Sequence, residues 1–262
     1  MCNNLLMITK ETINVLNFPE LRMATSRKRE DAVRQEEALA DTKLLREFAM
    51  ENGLKDEVFE LFLEEALIHQ HYYMDTHDDI HLVGMKQVVR QAETYLKAND
   101  LTHWESRLAR FLGRISDYEQ KYHIAADFYK EATTKVHIDP KYPNNRAMGF
   151  EYEGFLIIDE LHLGNTEQAI LMAEKLYQNY DKADEGRQLK EKDYTTWAIW
   201  RSGLLINLCR TLIKLGKLET YKEKISEWLR LAENDLQPAE NIKTWSDFGF
   251  RKNEIAKIRE SL

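Results

Sequence analysis

The residues best suited to chemistry are histidines that crowd into one short stretch. Four of the 8 histidines of the chain lie from His69 to His81, interspersed with acidic residues. His77 and His81 are four residues apart, so on a helix both imidazoles would point the same way and could hold a divalent metal ion. Asp78 and Glu65 are nearby carboxylates that could complete such a site. The spacing therefore makes His77, His81 and Asp78 candidate metal ligands.

A structural explanation competes with metal binding, and it is the one that we favour. A single HxxxH spacing is a weak motif, and His and Asp side chains at a polar helix junction commonly cap the neighbouring helix ends. The pair His77-Asp78 is similar to a pair in metal-dependent phosphohydrolases, but those enzymes need a further His well upstream and an Asp well downstream. His69 and His71 are too close in sequence to supply it. A metal-binding helical protein or metal-dependent hydrolase is kept as the alternative function.

Other signatures of catalysis are absent from the sequence. It contains no Gly-rich phosphate-binding loop, no Gly-x-Ser-x-Gly elbow and no Cys-x-x-Cys pair. Four tryptophans occur at helical spacing within apolar faces, which favours core packing over ligand stacking. They are Trp197, Trp200, Trp228 and Trp245. The sequence thus predicts a protein that is not an enzyme and needs no cofactor.

Two rows of polar side chains are candidates for binding a partner. Arg107, Arg110 and Arg114 lie at positions i, i+3 and i+7 of one predicted helix, and guanidinium groups bind carboxylate or phosphate in bidentate geometry. The second row lies on the corresponding face of a later predicted helix and comprises Asn207, Arg210 and Lys214. We predict that the rows line a basic groove for an acidic segment. The competing explanation is ordinary solvated charge on amphipathic helices.

The composition favours a helical globular protein with few turns. Hydrophobic residues make up 43% of the 262 residues and charged residues 31%, and only 10 Gly and 4 Pro are present. The net charge of −8 gives no general attraction to nucleic acid or to anionic lipid. No run of about twenty apolar residues is present, so we expect no membrane partner. Nucleic acid is likewise not an expected partner.

The cysteines and the first residues of the chain indicate the cellular compartment of the protein. Cys2 and Cys209 cannot form a disulfide framework, and Cys209 lies on an apolar helix face, where cysteine behaves as a small hydrophobe. The first eight residues have no basic n-region and too short an apolar run for a signal peptide. These features predict a cytoplasmic protein.

Apolar residues recur at helical spacing along most of the chain, which predicts an all-α protein. The predicted helices span 9–18, 20–50, 54–73, 82–96, 122–136, 146–163, 166–180, 194–215 and 218–234. A further one carries apolar residues from Leu101 to Tyr118. We expect Thr102 and Glu105 to form a capping box, and residues 181–192 to form a loop or a frayed turn. Pro238 is expected to begin a terminal helix, with a further short helix near Asn253.

Three helix pairs carry a recurring pattern of small and aromatic residues. The first pair has Leu112-Gly113 followed by Ala125, Tyr129, Ala132 and Pro140. The second and third pairs contain Leu156, Gly164, Ala169 and Ala173, and then Leu208, Gly216, Tyr221, Ile225 and Trp228. This order resembles the tetratricopeptide-repeat family, over about half of the chain. The matched residues lie further apart than that family's repeat of about 34 residues.

The resemblance implies an α-solenoid of stacked antiparallel helix hairpins that forms a right-handed superhelix. It would be one domain over residues 1–262, with irregular helices over 1–100, the clearest pairs over 101–234 and capping helices over 235–262. Proteins of this family hold a peptide or protein segment in the concave surface. The carboxylate-clamp subset of the family is not matched, because Phe155 occupies one of its positions. We therefore expect an adaptor, scaffold or regulator; self-association into a homo-oligomer is a third alternative.

Overall fold

The computed structural model describes residues 8–262, and these residues contain twelve α-helices and no β-strand. The prediction of an all-α protein is confirmed. The expectations about Cys2 and about a signal peptide concern residues that lie wholly or largely outside the described part. Within residues 8–262, no helix combines the length and the apolar character that a membrane crossing requires.

The chain divides into two compact units, the first ending at Tyr118 and the second spanning Glu119–Leu262. The first unit contains α1 (Phe18–Arg29), α2 (Gln35–Glu51), α3 (Lys55–Thr76), α4 (Asp79–Asn99) and α5 (Glu105–Tyr118). The second contains α6 (Tyr122–Lys135), α7 (Met148–His162), α8 (Thr166–Lys182), α9 (Asp184–Lys192), α10 (Tyr194–Lys214), α11 (Leu218–Asp235) and α12 (Gly249–Arg259). The prediction of one continuous domain stays a prediction.

In the first unit each helix packs against the next one along the chain, and α3 also contacts α1 and α5. Helix α3 is central because apolar side chains cover several of its faces. Phe59 and Leu61 are buried on it together with Ala66. The ring of Phe59 lies 5.8 Å from that of Trp104, which precedes α5. Burial of these side chains is the main stabilising term for the unit.

The long charged helix expected over residues 20–50 is wrong, because the chain turns between α1 and α2. Asp31 begins a 3-10 turn at Ala32–Arg34, and its side chain accepts a hydrogen bond from the Val33 amide at 3.2 Å. The helix expected at residues 9–18 is also absent, since only a 3-10 turn at Lys10–Thr12 forms and α1 begins at Phe18.

Charged side chains of α1 pair with other helices instead of with one another along a solvated surface. Arg29 Nη1 lies 2.7 Å from Glu64 Oε1, and Arg22 Nη2 lies 2.8 Å from Glu60 Oε2, so α1 is held to α3. Lys28 pairs with Asp41 of α2, and both side chains are about nine-tenths buried. These ion pairs between helices hold α1 against α2 and α3.

In the second unit each helix also packs against the next one, and α10 contacts α7, α8 and α12 in addition. Helix α10 is the centre of this unit because thirteen of its residues are buried, including Trp197 and Cys209. Gly164 and Gly216 end α7 and α10 with φ of 87° and 70°, values that glycine adopts without steric cost. The predicted glycine joints of these two pairs are confirmed.

Three local expectations in this part of the chain need correction. The expected loop over 181–192 is helix α9, which begins at Asp184 and ends at Lys192. Residues 237–248 lie outside helices, so the terminal helix begins at Gly249 and not at Pro238. Thr102 lies in a 3-10 turn at Thr102–Trp104, for which no side-chain cap forms at its start.

Candidate functional site

The predicted arginine row lies on α5 and is engaged within the first unit. Each guanidinium is partly buried and contacts a side chain of that unit. The partners are Glu60 Oε1 at 3.5 Å for Arg107, Gln70 Oε1 at 3.0 Å for Arg110 and Asp117 Oδ2 at 2.9 Å for Arg114. The contacts of Arg107 and Arg110 join α5 to α3, whereas the contact of Arg114 with Asp117 lies within α5. The prediction that these arginines bind a partner stays a prediction.

The second predicted row lies on α10, in the other unit. Arg210 donates to Asn207 Oδ1 at 3.3 Å and pairs with Glu254 of α12. Lys214 is exposed near the end of the helix. Because the two rows belong to different units, the single groove that the sequence predicts is not a property of either unit by itself.

The candidate metal ligands lie at the junction of α3 and α4. His77 ends α3 with a φ of 55°, and Asp78 precedes α4, where its Oδ1 accepts from the Ile80 amide at 3.0 Å. A helix break thus separates His77 from His81, so the helical spacing does not apply to this pair. Among residues 8–262, no group of three or more His, Cys, Asp or Glu side chains is placed to hold a metal ion.

His81 contacts His69, not His77. Their Nδ1 atoms lie 3.3 Å apart, and Tyr72 stacks on His81 with ring centroids 4.2 Å apart. Burial, together with smaller contributions from the charges of His81 and Lys43, lowers the pKa of His69 to about 4. His69 is therefore neutral at pH 7, and the pair joins α3 to α4.

The second unit contains a pocket of about 190 Å³ between α7 and α10, with Arg251 of α12 at its edge. Its walls are mainly apolar and aromatic. The lining residues are Phe150, Glu151, Gly154, Phe155, Tyr180, Ile199, Trp200, Gly203, Leu204, Asn207 and Arg251. Apolar walls with a few polar groups are typical of ligand-binding sites, so this pocket is the candidate functional site.

Two glycines shape the pocket in different ways. A Cβ atom on Gly154 would have only Leu204 Cδ1 near it, at 3.8 Å, so a side chain there would project into the pocket. Gly203 faces the guanidinium of Arg251, and a Cβ on it would lie 2.6 Å from Nη2. Glycine at 203 is therefore what lets Arg251 lie against α10.

Hydrogen-bond donors without acceptors are the distinctive polar feature of the pocket. Arg251 donates through Nη1 to Glu254 Oε2 at 2.6 Å, while its Nε is buried and meets no acceptor in residues 8–262. Asn207 accepts from Arg210 through Oδ1, so its NH₂ group points away from that arginine. Within the described residues, the indole N–H of Trp200 also has no hydrogen-bond acceptor. The lining thus offers unused donors.

A buried polar network fixes α10, which forms one wall of the pocket. Arg201 Nη1 pairs with Asp235 Oδ1 at 2.6 Å and Nη2 with Asp181 Oδ2 at 2.7 Å, while its guanidinium lies over the Tyr177 ring at 3.8 Å. Burial raises the pKa of Asp235 to about 6, although the charge of Arg201 opposes that shift. This network ties α10 to α8 and α11.

Sequence reasoning found part of this site and missed the rest. Of the second predicted row, Asn207 lines the pocket and Arg210 adjoins it; that the row binds a partner stays a prediction. Arg251 was missed because its partner Gly203 is distant in sequence and belongs to another helix. Trp200 was assigned to the core, yet it is only partly buried; Trp245, assigned likewise, is 69% exposed. Trp197 and Trp228 are buried as expected.

Comparison with known proteins adds no relative. No protein-family model matches this chain, and no curated protein matches it in sequence. The resemblance to tetratricopeptide repeats therefore stays a prediction based on the residues given above.

Proposed function

We propose that the chain is a non-catalytic binding module of the tetratricopeptide-like class, which holds a peptide or protein segment in the pocket between α7 and α10. In this proposal the helices form antiparallel hairpins stacked into a right-handed solenoid, and the first helices of successive pairs, α7 and α10, line the concave surface. The pocket between these helices is the single observation that carries the proposal.

The burial of the repeated residues supports the repeat architecture. Several residues of the pattern lie in the second unit's interior, where small side chains allow close approach of helices. The fully buried ones are Ala125, Tyr129, Ala132, Ala169, Ala173, Leu208 and Ile225. In a stack of hairpins such residues pack each pair on its neighbour, which leaves the opposite face of the first helices for a ligand.

The chemistry of the pocket supports a segment with an apolar anchor. Phe155 and Trp200 are partly buried, so they keep surface that an apolar side chain can cover. Covering aromatic surface of this kind supplies most of the affinity at peptide-binding sites. We therefore infer that the bound segment inserts one aromatic or aliphatic side chain between α7 and α10.

The test is selection of peptides against the intact protein from a phage-displayed library of random 12-residue sequences. Selected peptides are expected to bind with micromolar Kd, measured by isothermal titration calorimetry. The variant Gly154→Leu fills the pocket and is expected to weaken binding at least tenfold, because the new side chain occupies the space of the apolar anchor.

Gly149→Leu is the matched control, since Gly149 lies on the same helix and does not line the pocket. It is expected to leave binding unchanged. Circular dichroism and the midpoint of urea unfolding check that both variants fold. Peptides that bind wild type and the folded Gly154→Leu variant equally would overturn the assignment of the pocket.

A further inference from the structure

The polar groups at the edge of the pocket define a ligand chemistry more specific than an apolar anchor. This step rests on the proposed function, since it concerns the same pocket. Arg251, Asn207 and Trp200 together contribute donor groups that no acceptor of the described chain uses. A ligand that fits them must bring acceptor oxygens next to its apolar part.

The guanidinium of Arg251 is the strongest of these donors. Glu254 pairs with Arg251 through Nη1 alone. The Glu254 carboxylate also pairs with Arg210, so two guanidinium groups share one carboxylate. The buried Nε has no acceptor, and among the described residues Nη2 forms no hydrogen bond, so this edge of Arg251 is available to another acceptor. That edge is one of the two forks through which arginine binds a carboxylate with two parallel hydrogen bonds.

The position of Arg251 suits this task. Its side chain is 18% exposed and lies against Gly203, where only the flexible end of the arginine would meet an added Cβ. A buried guanidinium N–H without an acceptor raises the free energy of the unliganded protein. Binding of an acceptor oxygen at this N–H therefore lowers the free energy.

We propose that the pocket selects ligands that carry a carboxylate beside an aromatic or aliphatic group, and that Arg251 is the residue that binds the carboxylate. The apolar part lies between α7 and α10, and the carboxylate binds at the Nε and Nη2 edge of Arg251. Glu254 holds the guanidinium in place through Nη1.

The experiment uses a matched pair of small probes, 3-phenylpropionate and its neutral isostere 3-phenylpropionamide. Both are titrated into the full-length protein, and their Kd values are measured by ligand-observed NMR. We expect the acid to bind about tenfold tighter than the amide, which is the effect of a charge-assisted hydrogen bond in a partly buried site.

Variants of α12 assign the preference to a residue. Arg251→Met is expected to bind acid and amide equally, at the affinity that wild type shows for the amide. Arg251→Lys keeps the charge without the fork and is expected to retain only part of the preference. Arg259→Met, on the same helix and paired with Glu233 at 2.7 Å, is the matched control and is expected to behave as wild type.

The possible failures are distinct. Equal binding of acid and amide by wild type, or a preference that persists in Arg251→Met, overturns the selection of carboxylates and leaves the pocket assignment standing. Absence of binding by both probes at millimolar concentration overturns the pocket as an apolar anchor site, and with it the proposed function. Should Arg251→Met not fold, a full preference in Arg251→Lys overturns the bidentate recognition.

Discussion

At the scale of single residues, many polar side chains of this chain form hydrogen bonds or ion pairs with other residues of the chain. The histidine cluster is an example, because its spacing resembles a metal site while its geometry joins two helices. His69 of α3 and His81 of α4 meet through Nδ1, and Gly84 leaves room for the His69 ring, which would lie 2.6 Å from a Cβ at that position. Neutral imidazoles suit this contact, whereas two charged ones would repel.

Acid is therefore expected to weaken the protein through His69. Its pKa is about 4 in the folded state and about 6.5 in an unfolded chain, so the unfolded state binds more protons between these values. Stability is then lost as the pH falls from 6.5 toward 4. Because His69 is partly exposed, solvent screening limits the loss to about 1–2 kcal/mol. Urea unfolding at a series of pH values measures it.

The variant His69→Gln is expected to show a flatter profile over this pH range, since glutamine does not titrate. His123→Gln alters an exposed histidine of α6 and is the control. Parallel profiles for wild type and His69→Gln would show that His69 does not cause the acid sensitivity.

At the scale of helices, the close approach of α9 to α8 explains why residues expected to form a loop are helical. Gly186 lies inside α9, and a Cβ on it would be 2.5 Å from the Tyr180 carbonyl oxygen and 2.7 Å from that of Asn179. The glycine thus lets α9 pack on the backbone of the last turn of α8. A glycine in a polar stretch predicts a loop from sequence, whereas here it permits contact between helices.

Gly186→Ala is expected to destabilise the protein by about 1–3 kcal/mol, because backbone atoms must move to admit the methyl group. Gly154→Ala, in the interior of α7, is the matched substitution and is expected to stabilise by about 0.5–1 kcal/mol through helix propensity. Free energies of unfolding in urea measure both. Equal effects of the two substitutions would contradict the packing argument.

The sequence predicts the helices well where the apolar period and the caps agree. The glycine ends of α7 and α10 are of this kind, since a left-handed residue follows an apolar helical stretch. The break between α1 and α2 could not be predicted, because the segment has neither Gly nor Pro there and Asp31 alone marks the turn. It is fixed by pairs between helices, such as Lys28 with Asp41. The position of Arg251 could not be predicted either, because it depends on contact with Gly203 of α10, which is distant in sequence.

At the scale of the whole molecule, apolar burial builds a substantial core within each unit. One core in the first unit includes Leu45, Phe59 and Met85, all inaccessible to solvent. Another in the second unit includes Trp197 and Leu205. Since each core holds its own helices together, a local loss of packing is expected to act mainly within the unit that contains it.

Leu45→Ala and Leu205→Ala test this expectation, because each removes a buried side chain from one of the two cores. Each substitution is expected to lower the free energy of unfolding by about 2–5 kcal/mol, the range typical of the cavity left when alanine replaces a buried leucine. Hydrogen exchange followed by mass spectrometry should show lost protection mainly up to Tyr118 for Leu45→Ala and mainly in Glu119–Leu262 for Leu205→Ala. Equal loss of protection across both units in either variant would show that they unfold as one cooperative body. In that case the pocket between α7 and α10 would depend for its shape on packing throughout the chain.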